Sequence, residues 1–383
     1  MGIYLHIPFC RTKCPYCDFF SVVSEESSIS EYVNALKSEI DLRRGALPGP
    51  FGSVYIGGGT PSILPVDAIA TLLEAVTSTF PLNPDAEITV ELNPGDVTEE
   101  LAQGLLQNGV NRISLGIQSF DDRALEVLGR RHDAGEARRA VDVLSRASFE
   151  NISIDLIFGV PGRRVSDWHS DLDELLDLEP EHVSCYTLTV ERGTPLEKMI
   201  ETGDLPNVDD DLQADMFEAA HARLSEAGYE HYEISNYAKP GKRSRHNMKY
   251  WRNERYLGFG AVAFSYVDNL RSGNLASVSR YMSTLRDGNL PIDQAVTDMI
   301  GPFAEMGETV IQSLRTSDGL SLEAFKKRFR VNAGDLFGPS LDEGTKLELI
   351  EISDDVFKPT LRGMMFWNDL AELFLVPPSA SQS

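Results

Sequence analysis

The chain has 383 residues, 42% of them hydrophobic, and its 59 acidic and 35 basic residues leave a formal charge of −24. That length holds one large domain and a smaller one, and the acidity argues against a nucleic-acid partner, whose phosphates it would repel. Four cysteines are no disulfide framework, "MGIYLHIPFC" lacks the basic and apolar regions of a signal peptide, and no apolar run approaches the roughly 18 residues of a membrane span.

The first predicted element is the strand "GIYLHIP", which runs into "HIPFCRTKCPYCDFF" with Cys10, Cys14 and Cys17 inside eight positions. Three readings are open. A disulfide with a spare thiol suits a reducing compartment poorly. Zinc would need a fourth ligand or a water, with His6 as the nearest recruit. A four-iron cluster takes three soft thiolates and leaves one iron free for a small molecule.

Five more strand-like runs follow: "SVYIGG", "EITVELN", "RISLGIQ", "ISIDLIFGV" and "HVSCYTLTV". Helical patterns separate them at 30–44, 65–79, 98–108, 121–147 (in two pieces) and 165–178, and another lies at 209–227. This alternation predicts parallel strands with crossover helices. Six such units suit an incomplete α/β barrel; a flavodoxin-like open sheet is the competing arrangement.

Polar residues gather where such folds place their chemistry, at the C-terminal ends of strands. "YIGGGTPS" ends a strand in Gly57, Gly58 and Gly59 before Thr60, a backbone that a ligand could approach closely, though ordinary tight turns look similar. "VELNPG" puts Glu91, and "ISLGIQSF" puts Gln118, at strand ends. Asp155 interrupts the apolar "IDLIFGVPG", where a carboxylate needs a partner or a role. Arg130 in "LGRRH" could fork onto a carboxylate or simply face solvent.

Residues 239–251, "KPGKRSRHNMKYW", hold Lys239, Lys242, Arg243, Arg245 and Lys249 with no acid among them, an island in an acidic chain. From about residue 300 the βα rhythm stops. "EMGETVIQSLRTSDGLSLEAFKKRF" predicts two short helices around a turn at "SDG", followed by a shorter apolar segment, and "VPPSASQS" reads as a disordered end. Cys185 reads as a small buried hydrophobe.

CxxxCxxC with Tyr16 before its last cysteine resembles the signature of radical S-adenosylmethionine (SAM) proteins. The resemblance implies a [4Fe–4S] cluster on Cys10, Cys14 and Cys17, with SAM on the open iron as the source of a deoxyadenosyl radical. From residue 4 to about 260 the strand-end motifs together resemble the coproporphyrinogen-dehydrogenase-like branch of that superfamily. By that resemblance Tyr4, Tyr16, Gly58, Gly59 and Thr60 line the SAM pocket. Glu91 would hold the ribose hydroxyls, and Gln118, Arg130 and Asp155 would complete the site for one or two SAM molecules.

That branch contains a dehydrogenase, which turns coproporphyrinogen propionates into vinyls, and a haem chaperone. Where the dehydrogenases carry a fourth cysteine, two residues after the third, this chain has Phe19. The dehydrogenases also carry an extension before the cluster strand, and here the sequence starts shortly before "HIPFC". His246, Asn247, Tyr250 and Trp251 match the HNxxYW motif of the chaperones. The resemblance therefore implies haem binding, with His246 on the iron, Tyr250 and Trp251 packed on the porphyrin, and the basic island holding the propionates. The bland alternative is a solvated loop. The chain departs from the branch at Val262, where glycine is expected, and at Phe264; a β-branched residue fits badly where φ is positive.

The expectation is thus a partial (β/α)6 radical SAM barrel over 1–240, a connecting segment with the haem motif over 241–299, a small winged-helix-like domain over 300–375 and a disordered tail over 376–383. Function would be haem carriage to an acceptor haem protein in the cytoplasm. A coproporphyrinogen dehydrogenase and a radical SAM enzyme on an unrelated substrate are the alternatives. A homodimer and peripheral membrane contact are compatible with the chain; a membrane span and a nucleic-acid partner are not expected.

Overall fold

The computed structural model describes residues 1–23 and 26–375; the tail expected to be disordered, 376–383, lies outside them. Six parallel strands form the centre of a twelve-stranded sheet: β1 (Gly2–Ile7), β2 (Phe51–Gly58), β3 (Leu82–Leu92), β4 (Arg112–Gln118), β5 (Ile152–Phe158) and β6 (His182–Thr187), paired in that order. These six strands are those predicted from the sequence. Their runs are apolar on both faces because crossover helices cover one side and the barrel interior the other; β5, ISIDLIF, is buried except at Asp155.

The helices of the barrel are α1 (Glu26–Leu42), α2 (Val66–Thr79), α3 (Glu99–Gln107), α4 (Asp122–Val127), α5 (Ala134–Arg146) and α6 (Val165–Asp177). Each expected helix is present, and 121–147 is indeed two pieces. The break follows from local chemistry: Gly129 takes φ +62 after α4, and Asp133 with Glu136 forms a capping box that starts α5. α5 then buries Ala137, Ala140, Val141 and Leu144 against the sheet, the 3.6-residue stripe that the pattern predicts. Beyond β6, α7 (Pro195–Glu201) and α8 (Asp210–Glu226) precede the hairpin β7 (Glu230–Glu233) and β8 (Asn236–Ala238), and β8 pairs antiparallel with β6.

Residues 241–299 are not a connector. After the short helix α9 (Asn247–Trp251), β9 (Tyr256–Phe259) lies parallel to β1 on its open side. β10 (Phe264–Val267), β11 (Leu270–Asn274) and β12 (Ile292–Met299) continue the sheet antiparallel, with α10 (Val278–Arg286) between the last two. The reason is a buried charge cluster. Glu39 of α1, with no exposed surface, bonds Asn274, Tyr281 and the Gly260 amide and sits beside Arg43, which ties the extension to the barrel. Val262 takes φ +59 in the turn before β10. The backbone there has the conformation for which glycine was expected, so the β-branched side chain sits on a strained residue, a cost of order 1–3 kcal/mol.

The remaining elements form a separate small core. Helices α11 (Pro302–Leu314), α12 (Leu322–Phe329) and α13 (Ala333–Lys346) pack Val310, Leu314, Phe325, Phe337 and Leu341 together. A three-stranded sheet of β13 (Leu320–Ser321), β15 (Val356–Pro359) and β14 (Ile350–Ser353) closes it. α13 was not predicted.

Candidate functional site

A cavity of about 580 Å³ opens at the C-terminal ends of β1–β6. Cys10, Cys14, Cys17, Tyr16, Gly58, Gly59, Thr60, Glu91, Gln118, Arg130 and Asp155 all lie on its wall. Residues from Cys10 to Asp155 are thus brought together, and all belong to the set singled out above. The four cysteines are free thiols, which removes the disulfide reading. Among the described residues no three His, Cys, Asp or Glu side chains converge on one ion. His6 does not join them. Its Nδ1 is 2.9 Å from the Tyr4 hydroxyl and its Nε2 is 3.3 Å from the Phe20 carbonyl oxygen.

The glycines of "GGGTP" make room for protein as much as for a ligand. A Cβ on Gly57 would stand 2.7 Å from Glu91 Oε1, one on Gly58 2.5 Å from the His6 ring, and one on Gly59 2.6 Å from the Phe9 carbonyl oxygen. Only bare backbone lets the cysteine loop fold down against β2. Thr60 then places its hydroxyl 3.5 Å from Cys10 Sγ. Arg130 is not a solvated helix residue: it is carried in by the turn after α4, with Nη1 3.6 Å from Cys14 Sγ and Nη2 donating to the Gly116 carbonyl. Burial raises the Cys17 thiol pKa, and the neighbouring cysteines add to the rise.

Glu91 accepts from the Tyr55 hydroxyl at 2.7 Å and from the Gly58 amide at 3.0 Å. Burial nevertheless lifts its carboxyl to about 7, against the usual 4.5. Asp155 accepts from Ser114 at 2.9 Å and from Ser153 at 3.4 Å, and burial raises its pKa as well. Gln118 sits at φ +73, outside ordinary strand geometry. Three polar atoms of cavity residues, Ser21 Oγ, Gln118 Oε1 and Arg130 Nε, are buried without a partner. Such groups are rare unless something else satisfies them. Thiolates, a carboxyl suited to hydroxyl donors and unmet acceptors and donors together fit an iron–sulfur cluster with a polar small molecule beside it.

Tyr4 is not on this wall. It points into the barrel below the cavity, with its ring 6.1 Å from that of Tyr55, because side chains two apart on β1 share a face and Tyr4 leans on His6. Tyr186 and Ser114 do line the cavity and were not singled out. Tyr186 is the penultimate residue of β6, and its position near a strand end was the available signal.

The HNxxYW segment lies at the opposite end of the strands. His246 is not on an open loop: it is 1% exposed and plugs the barrel floor between the starts of β1 and β2. Its Nδ1 is 2.8 Å from Ser53 Oγ and its Nε2 is 2.9 Å from the Tyr250 hydroxyl, so both nitrogens are engaged. The carboxylate of Glu87, at 5% exposure, accepts the amides of Arg245 and His246 at 3.0 and 2.8 Å. Burial first, then the Lys249 charge, lowers the imidazole pKa to about 3, which keeps it neutral at ordinary pH. The Tyr55 ring stands 5.1 Å from it, linking this floor to Glu91 above.

The basic island is also not free. Arg243 pairs with Glu230 and Asp318, Arg245 with Asp85, and Lys239 with Glu181. Lys242 and Lys249 donate to the carbonyls of Glu150 and Arg245. Acids absent from the local sequence arrive from distant elements, which corrects the expectation of an unpaired edge waiting for propionates. Trp251 has the guanidinium of Arg315 4.5 Å from its ring centre, and Tyr250 sits edge-on to Tyr256 at 4.8 Å, so both half-buried rings already have partners within the protein.

The Radical SAM superfamily domain matches residues 4–175, and the HemN C-terminal domain matches 304–366. The chain is 34% identical to the haem chaperone HemW of Lactococcus lactis over 97% of both chains. It is 35% identical to that of Escherichia coli over 98% of both. Among solved structures it is similar to coproporphyrinogen III oxidase HemN from Escherichia coli, a radical SAM enzyme, with a TM-score of 0.85, 21% identity, and 97% and 89% of the two chains covered. That likeness establishes the fold: an incomplete radical SAM barrel with a small C-terminal domain.

Proposed function

The chain belongs to the HemW haem chaperone family of radical SAM proteins, and from that membership we propose that it binds haem and hands it to an acceptor haem protein. The observation that carries the reading is end-to-end identity of about a third with chaperones of that name. We assign the [4Fe–4S] cluster to Cys10, Cys14 and Cys17, with Arg130 neutralising part of its charge. The SAM site we assign to Tyr16, the Gly58–Thr60 backbone, Glu91, Gln118, Arg130 and Asp155. A cluster with SAM supplies one-electron reductive cleavage of a sulfonium; the residues of this chain hold the ligand, and Glu91 can accept hydrogen bonds from the ribose hydroxyls. Tyr4 then acts from beneath, through His6 and Tyr55.

His246 is the proposed iron ligand, in a conformation in which residues 244–254 have left the barrel floor; Tyr250 and Trp251, released with it, would meet the porphyrin. A cytoplasmic location and association as a homodimer, with peripheral membrane contact during transfer, belong to the same proposal. Among the described residues no helix is long and apolar enough to cross a membrane.

The test uses anaerobically purified protein with its cluster reconstituted. It is titrated with haem, mixed with an apo-haem protein, and separately incubated with coproporphyrinogen III, SAM and a reductant. Saturable haem binding, transfer to the acceptor and no decarboxylated product are expected. Formation of protoporphyrinogen would replace the carrier reading with that of a dehydrogenase.

A further inference from the structure

His246 is sealed by the segment to which it belongs, 239–254, and several of the contacts on that segment and beside it come from the C-terminal domain. Arg315, at the end of α11, lies between Trp251 at 4.5 Å and Trp367 at 5.6 Å, and its guanidinium donates to the fully buried Glu233 at 2.8 Å. Asp318 bridges Arg243 at 2.7 Å and Arg252 at 3.5 Å. Arg328 of α12 donates to the carbonyls of Arg252 and Asn253, and Thr309 of α11 accepts from the Asn253 amide group at 3.1 Å.

The closed arrangement also carries internal costs. Trp251 Nε1 is buried with no acceptor, which counts against this conformation. Asn253 takes φ +49. A segment with an unmet donor and a strained residue, held by long side chains from another domain, has a competing state within reach. The ion pairs of Asp318 are exposed and individually weak, so they can open while Arg315 stays on the buried Glu233.

We propose that the C-terminal domain is a clasp on the 239–254 segment, and that Arg315, Asp318 and Arg328 set how readily His246 leaves the barrel floor to meet haem iron. The inference rests on His246 being the iron ligand. It gives the C-terminal domain a task, and it makes that domain the place where an acceptor or other partner could trigger uptake or release.

The test compares the full-length, cluster-loaded protein with its Asp318→Asn variant, which leaves Arg243 its Glu230 partner and strands no buried charge. Amide hydrogen exchange in 244–254 should rise roughly three- to tenfold, with β1 and β2 unchanged, and the rate of haem capture followed at the Soret band should rise by the same factor. Raising the salt concentration on the wild-type protein should move exchange in the same direction without any substitution. Unchanged exchange in both experiments overturns the clasp. Faster exchange with an unchanged capture rate overturns its control of haem. His246→Ala separates the premise from the inference: wild-type haem binding in that variant removes the ligand reading, and with it the link to haem, while exchange in Asp318→Asn still reports on the clasp.

Discussion

At the C-terminal ends of the barrel strands Ser21, Gln118 and Arg130 hold buried polar atoms without partners, whereas at the N-terminal ends His246, Ser53, Tyr250 and Glu87 satisfy one another. Both regions are built from polar side chains inside one barrel, and both carry strongly shifted pKa values. The difference lies in completeness. Unmet groups at the top describe a site shaped for something the chain does not itself supply, while around His246 the polar groups are paired with one another, although Trp251 Nε1 nearby is left without an acceptor. A buried histidine in a family motif is therefore a weaker sign of an available ligand than three half-exposed thiols.

The sharpest break of this contrast is at the top. Cys14→Ser removes one of three thiolates from a cluster that has no spare ligand, and complete loss of the four-iron absorption and paramagnetic spectrum is expected; a full spectrum would remove Cys14 from the ligand set. The next effect tests the floor. A histidine whose folded pKa is about 3 against an ordinary 6.5 contributes stability that is complete above pH 6.5 and is lost as pH falls towards 3. Urea unfolding at pH 5 and pH 7.5 should show a pH-dependent loss in the wild type that exceeds that of His246→Asn by about 2 kcal/mol; equal losses would mean that the imidazole is not held neutral.

The smallest effect sharpens the comparison from the other side. Glu91 has its folded pKa raised to about 7, so the folded protein keeps a proton that the unfolded chain releases, and stability falls as pH rises from 4.5 to 7. Glu91→Gln should therefore make the ligand-free protein more stable than the wild type at pH 8 by about 1 kcal/mol, after allowance for partial exposure, with no gain at pH 4.5. The same variant should bind SAM more weakly, as read by equilibrium dialysis. A ligand site that is costly when empty behaves in this way; a structural carboxylate would lose stability instead.

Most of the barrel was legible because its signals are local. β4, RISLGIQ, coincides with its predicted run, and the capping box and glycine that split 121–147 lie within a few residues of the break. α13 was hidden because AGDLFGPSLDEGTK carries three glycines and Pro339, all poor helix formers; burial of Phe337 and Leu341 in the C-terminal core overrides that propensity. β9, YLGF, is too short to announce itself, and only the free edge of β1 and the Glu39 network make it a strand. Glu91, Gln118 and the glycines before Thr60 were found from strand ends and the cysteines from their spacing, whereas Tyr4, implied only by the family resemblance, lies below the cavity beside His6 and Tyr55.

What the sequence determined by itself is the cysteine spacing, the alternation of strands and helices, and so the collection of Glu91, Gln118 and Asp155 at one end of a barrel. Each is a matter of covalent spacing or of a period set by backbone geometry. What only the tertiary structure decided is the state of the charged and aromatic groups of 239–251. Arg243 meets Asp318 across 75 positions and Arg245 meets Asp85 across 160. Electrostatic pairing depends on distance in space rather than along the chain, so a run that is basic in sequence is neutralised, and its histidine sealed, by acids that the fold delivers.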